Sequence, residues 1–107
     1  MLNGKQRAQL RAMANSIDTI IHVGKGGITE NVAAQTKDAL RARELIKGRV
    51  LEASLLTARD AAEELARLCG AETVQTIGSR FVLYKESLEI EKEKRISNNF
   101  KKQPQKQ

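Results

Sequence analysis

Cysteine occurs once, at Cys69, and histidine once, at His22. A single cysteine excludes an internal disulfide and fits a reducing compartment. One cysteine and one histidine cannot supply the ligand set of a zinc site. No Ser-His-Asp or Cys-His set can be assembled around the lone histidine. Tryptophan is absent, and the aromatics are only Phe81, Tyr84 and Phe100. That is too few for a sheet or barrel that stacks bases on aromatic platforms. Proline appears once, at Pro104. No apolar run approaches the ~18 residues of a membrane span. The opening Met-Leu-Asn-Gly-Lys has no apolar stretch after it, so no signal peptide is expected. These absences predict a cytoplasmic protein with no metal, no cofactor, no small-molecule substrate and no membrane partner.

Positive charge is what the chain does have. Among 107 residues, 19 are Lys or Arg against 13 Asp or Glu, a formal net charge of +6. The length predicts one domain with a modest core. The surplus is split: residues 1–87 carry a net +3 and residues 88–107 another +3. The folded part is therefore only mildly basic. If it binds a polyanion, its cations must be gathered on one face.

Periodicity predicts an α/β fold in the order α-β-α-β-α-β-β. Leu2 to Asn15 reads as a helix with Leu10, Met13, Ala14 and Ile17 on its apolar stripe and Asn3 as cap. Arg7 and Arg11 flank that stripe four residues apart, where they either sit solvated or share a phosphate. Thr19 to Val23 is the first strand. A second helix runs from Ile28 to about Ala42, its inner stripe Ile28, Val32, Thr36, Ala39 and Leu40. Leu45 to Leu56 is strand-like, with Ile46, Gly48 and Val50 facing one way and Lys47 and Arg49 the other. A face bearing two cations is not wholly core. Thr57 caps a third helix in a box-like arrangement with Asp60, and Gly70 stops it. Its stripe is Ala58, Ala61, Ala62, Leu65, Leu68 and Cys69, which makes Cys69 a core thiol. Glu63 sits four from Arg59 and from Arg67, Glu64 three from Arg67, and both read as a paired, solvated surface. Glu72 to Ile77 and Arg80 to Lys85 form a hairpin about Gly78-Ser79. The two strand-helix-strand units predict parallel neighbours, giving a four-stranded mixed sheet with packed helices. Beyond Ser87 the chain becomes a charged run that is partly helical, then disordered after about Ser97.

The most informative residues are Gly24-Lys25-Gly26-Gly27, between the first strand and the second helix. Without Cβ atoms the backbone of such a turn can approach a phosphate, toward which the first amides of the helix point. Lys25 adds a charge at the tip. A dinucleotide fingerprint fails because Thr29 stands where the third glycine belongs, and a P-loop fails because Gly26 follows Lys25 and Thr19 replaces the upstream glycine. The plain alternative is a tight strand-to-helix turn with no guest. His22, two residues before it, either reaches a bound phosphate or is an ordinary strand histidine.

These pieces together resemble the YhbY-like family, the bacterial single-domain version of the CRM (chloroplast RNA splicing and ribosome maturation) domain. The matching residues are Lys5-Gln6-Arg7, Val23 to Thr29 around the glycine turn, Glu44-Leu45-Ile46-Lys47, Ile77-Gly78 and Val82-Leu83-Tyr84-Lys85. The likeness spans about residues 3–87; residues 1–87 are expected to form the single domain, and residues 88–107 a tail outside it. It implies a fold similar to the C-terminal domain of translation initiation factor three. It also implies a non-catalytic RNA-binding protein that associates with ribosomal RNA or a large-subunit precursor and assists assembly. The Gly24–Gly27 loop is then likened to the Gly-x-x-Gly loop of KH domains, which clamps a nucleic-acid backbone. Gly48 departs from the family, which usually has a β-branched apolar residue there, and a looser second strand is the expected consequence.

The expected RNA-binding residues are Gly24, Lys25, Gly26 and Gly27 with Lys5, Arg7 and Arg11 of the first helix, extended by Lys47 and Arg80. The chain is expected to act as a monomer. Two other readings remain compatible with the residues: a KH-like binder of another structured RNA, and a basic module that docks on an acidic protein.

Overall fold

A computed structural model describes residues 2–96. Helix α1 (Gly4–Ala14) opens on a reciprocal capping box. The Gln6 amide donates to Asn3 Oδ1 at 2.8 Å and the Asn3 amide to Gln6 Oε1 at 3.1 Å, which satisfies two of the helix's orphan donors. Then follow β1 (Thr19–Val23), α2 (Glu30–Arg43), β2 (Leu45–Val50), α3 (Ala58–Cys69), β3 (Glu72–Ile77) and β4 (Arg80–Tyr84). Thr29 and Thr57 cap α2 and α3 by accepting from the amides three residues on. Gly70 ends α3 with a left-handed φ of +69°, a conformation in which a side chain would be strained.

The strands form one sheet in the order β1-β2-β4-β3. β1 and β2 are parallel, whereas β4 runs antiparallel to both of its neighbours. The mixed sheet and the element order are as the sequence predicts, but one neighbour relation is not. β3 does not lie beside β2, because β4 is inserted between them. β4 is apolar and buried from Phe81 to Tyr84, whereas β3 mixes Glu72, Thr73, Gln75 and Thr76 with a buried Val74, so the continuously apolar strand takes the inner place.

The pleat divides the core in two. On one face α2 and α3 cover Ile21, Val23, Ile46, Val50, Phe81 and Leu83, packing Leu40, Ala61, Ala62, Leu65 and Cys69 against them. On the other, α1 lays Leu10 and Ala14 on Leu45, Val74, Val82 and Tyr84. The alanine-rich inner face of α3 lets that helix sit close to the sheet. Cys69 is buried there, and desolvation raises its thiol pKa, opposed in part by Lys37 and Lys85.

Four expectations need correction. β2 ends at Val50, not Leu56, because the chain turns: the Ser54 amide donates to the Leu51 carbonyl and the Leu56 amide to Ser54 Oγ. α2 begins at Glu30 rather than Ile28, with Thr29 as its cap. Leu68 is 38% exposed, since it lies one position beyond the stripe that faces the sheet. Gly48 does not loosen β2. It is the cross-strand partner of Phe81, whose ring occupies the space a side chain would take; a Cβ at Gly48 would lie 2.2 Å from Phe81 Cζ. The volume missing on one strand is supplied by the next, and a β-branched residue would not fit.

After β4 the chain is fastened to the C-terminus of α2 through Glu44, a buried carboxylate with φ +67°. Its Oε2 accepts from the Ser87 amide at 2.8 Å, and its carbonyl accepts from Lys85 at 2.9 Å. The charged run contains a 3-10 turn, Lys92–Lys94, and Ile96 packs against the α1-side cluster. The expected disorder after about Ser97 falls outside the described residues.

Candidate functional site

Parallel pairing brings the C-terminal ends of β1 and β2 side by side, Val23 opposite Val50. The two loops that leave them, 24–29 and 51–57, are therefore neighbours. The Leu51 amide donates to the Val23 carbonyl at 2.8 Å and stitches them together at the base. The hairpin turn joins the same end, because the Ser79 carbonyl accepts from the Val50 amide at 2.7 Å. In open α/β sheets this is the end at which ligands are commonly held.

The glycine loop is a tight turn, closed by the Gly27 amide on the Gly24 carbonyl at 3.0 Å. Its three glycines have different reasons to be there. Gly27 has φ +72°, so its lack of a side chain serves the turn itself. Gly24 and Gly26 have no such conformation. A Cβ at Gly24 would meet nothing nearer than Leu51 Cδ1 at 3.8 Å, and one at Gly26 would meet Thr29 Cγ2 at 3.3 Å. Neither the backbone nor close packing obliges position 24 to be glycine. Lys25 is exposed at the tip and forms no ion pair among the described residues. Beside the loop is an open groove of about 520 Å³ whose walls include Lys25, Gly26, Leu55 and Asp60.

The start of α2 is already partly occupied. Thr29 Oγ1 accepts from the Val32 amide at 3.1 Å, and Glu30 stands in the first turn. A guest at the loop would therefore meet chiefly the turn's own backbone and Lys25, with the helix dipole a smaller contribution.

The expected basic residues are not all together. α1 runs with its C-terminus toward the loop end of the sheet, where Asn15 lines a small groove of about 160 Å³ with Lys47, Gln75 and Arg80. Arg11 is exposed one helical turn before Asn15. Lys5 and Arg7 are at the far end of α1, about 12–15 Å back along its axis. Arg7 is moreover half-buried, donating from Nη1 to the Thr73 carbonyl of β3. The structure thus brings Lys47, Arg80 and the end of α1 toward the loop, and leaves Lys5 and Arg7 away from it.

Strand register sets His22, Arg49 and Ile77, which were not among the expected site residues, in line with the expected Arg80. His22 pairs with Arg49, Arg49 with Arg80, and Arg80 with Ile77, so one row crosses all four strands. The alternation of Lys47 and Arg49 was legible; that Arg80 and His22 stand beside Arg49 required the strand order. Among the described residues, no group of three or more His, Cys, Asp or Glu is arranged to hold a metal ion.

The chain matches the profile of the CRS1/YhbY (CRM) domain over residues 2–85. It is 47% identical to the Bacillus subtilis protein named "Probable RNA-binding protein YqeI" over 89 residues, covering 83% of this chain and 93% of that protein. A Haemophilus influenzae protein named "RNA-binding protein" is 36% identical over 88 residues, covering 82% and 89% respectively. The fold is similar to the solution structure of the hypothetical protein SAV1595 from Staphylococcus aureus, with a TM-score of 0.64 at 45% identity, covering 85% of this chain and 95% of that one. The profile spans both faces of the sheet and the glycine loop, and on that footing the chain belongs to the CRS1/YhbY (CRM) domain family.

Proposed function

We propose that the protein is a non-catalytic RNA-binding protein of the cytoplasm that acts as a monomer on precursors of the large ribosomal subunit and assists their assembly. The observation that carries the RNA contact is the glycine loop. Gly24 is glycine where the backbone conformation does not ask for it and where there is room for a side chain. Lys25 projects beside it without a carboxylate partner among the described residues. A bare backbone next to an unpaired cation suits a sugar-phosphate chain, which needs close approach and charge but no base-specific pocket. The names of the relatives support RNA as the partner, and the family resemblance supports the ribosomal target.

The reading is tested by sedimentation of tagged protein from lysate through a sucrose gradient at low and moderate salt. Comigration with large-subunit precursors, released by RNase and reduced in a Lys25→Ala, Gly26→Asp variant, is the expected outcome. A protein that stays at the top of the gradient at low salt refutes the ribosomal target.

A further inference from the structure

The cross-sheet row His22–Arg49–Arg80–Ile77 lies on the face that α1 covers, but beyond the end of that helix. Ile21, Val23, Gly48, Val50 and Phe81 point to the opposite face, so the pleat sends the row outward. His22, Arg49 and Arg80 are exposed, and Ile77 is 64% exposed. Lys47, one step along β2, lines the adjoining groove.

Two features of the row are unusual for an idle surface. Arg49 and Arg80 stand directly opposite each other on antiparallel strands, an arrangement of like charges that costs stability. Neither arginine, nor Lys47, has an ion-pair partner among the described residues, although α2, α3 and the segment after β4 are laced with such pairs. A surface under no demand would intersperse carboxylates here, as those regions do.

We propose that this row is a second contact surface for the RNA backbone, continuous with the glycine loop, so that a strand held at the loop runs across the sheet and not along α1. The proposal rests on the RNA-binding reading and deepens it. Continuity follows from the chain itself: His22 is two residues before Gly24 on β1, and Val50, next to Arg49, is bonded to the hairpin turn at the same end. Adjacent strands lie about 4.8 Å apart, so His22, Arg49 and Arg80 span roughly 10 Å in a line. The guanidinium groups of Arg49 and Arg80 present paired donors that match phosphate oxygens, and a phosphate seated on each relieves their mutual repulsion. Ile77 offers an apolar platform where the row meets the outer strand. This track excludes Lys5 and Arg7 from the interface.

The test is the salt dependence of binding to a fluorescein-labelled, mixed-sequence single-stranded RNA, with the full chain and three variants. Arg49→Ala with Arg80→Ala is expected to flatten the plot of log affinity against log salt by about 1.4, two contacts' share, which is about 25-fold in affinity over a tenfold salt range. Its thermal midpoint should hold or rise, because a repulsive pair is removed. Lys25→Ala is expected to flatten the plot by about half as much, and Lys5→Ala to leave it unchanged. If the arginine pair has no effect while Lys25→Ala does, the row is not an RNA surface, and the loop reading stands without it. If the arginine pair has no effect on RNA but abolishes an RNase-resistant protein complex, the row takes an acidic protein instead and the proposal is overturned. If the unaltered chain shows no salt-dependent binding at all, the RNA-binding reading fails and this proposal with it.

Discussion

Replacing Gly48 by alanine adds one methyl group, and the structure sets what that methyl must displace. An ideal Cβ at this position lies 2.2 Å from Phe81 Cζ and 2.5 Å from Cε1. Ordinary carbon contacts begin near 3.4 Å, so the ring must retreat by about 1.2 Å or more. Phe81 is 1% exposed and embedded among the residues under α2 and α3, so it has no free side to move into. Overpacking of this kind costs about 1–3 kcal/mol. The gain from substituting glycine in a strand offsets roughly 0.5–1 kcal/mol of that. The net expectation for Gly48→Ala is a loss of about 1–2 kcal/mol, and more for Gly48→Val, whose branch points into the same ring. In a domain of this size about 1 kcal/mol moves the thermal midpoint by roughly 4–8 °C. Thermal and urea unfolding followed by circular dichroism read both quantities. The sharper form is a double-mutant cycle: Phe81→Leu should cost less in a Gly48→Val background than in the native one, with a coupling of at least ~1 kcal/mol. An alanine variant as stable as the native chain, or independent costs in the cycle, would refute the claim that the ring fills the glycine's space.

Glu44→Ala should destabilise the fold by about 2–3 kcal/mol, because the Ser87 amide loses a charged acceptor in a buried place; thermal unfolding checks this, and a neutral result would show that the clasp is ornamental. Cys69 should resist a thiol reagent in the native state at neutral pH. Burial raises its pKa, so the thiolate is disfavoured until pH climbs above the ordinary thiol value, and labelling should accelerate only on unfolding; rapid labelling of the folded chain would contradict the packing of α3. Above the ordinary thiol pKa the unfolded state ionises first, so stability should decline with rising pH there, which Cys69→Ala would abolish. Lys25→Ala should weaken RNA binding similarly across sequences and flatten the salt dependence by about 0.7, one contact's share for a single strand; sequence-dependent losses would point to base readout.

Local signals are what the sequence expressed well. Asn3, Thr29 and Thr57 act as caps through single side-chain bonds, and Gly70 and Gly78 mark positions of positive φ. The alternation in β2 is likewise a local property, which is why Lys47 and Arg49 separate correctly from Ile46 and Val50. What was not legible depends on contacts between distant segments. The insertion of β4 beside β2 decides that Arg49 faces Arg80 and that Phe81 covers Gly48, and no window of sequence contains both partners. The run from Leu51 to Leu56 misleads for a related reason. Leu51 and Leu56 serve a loop that packs beside the glycine turn, near Gly24 and Gly27 respectively, and not a longer strand, while Leu55 is exposed. Glu44 shows no signal in periodicity, since a buried carboxylate at a positive φ is recognisable only once Ser87 is seen to bind it. At the glycine loop, the motif was visible, but the division of labour among its glycines came from dihedral angles and open space.

That division makes Gly26 the position at which to test the central claim. Gly27→Asp would confound binding with strain, because its φ is +72°. Gly26 has an ordinary φ and lies exposed, so Gly26→Asp adds a carboxylate at the point of approach with only Thr29 Cγ2 to nudge. The decisive measurement is the affinity of that variant for single-stranded RNA at low salt, beside its thermal midpoint. A folded protein with a near-native midpoint and binding reduced by about tenfold or more is expected, as one repulsive charge replaces one close phosphate approach. Undiminished affinity in a folded Gly26→Asp variant would contradict it and remove the loop from the RNA interface.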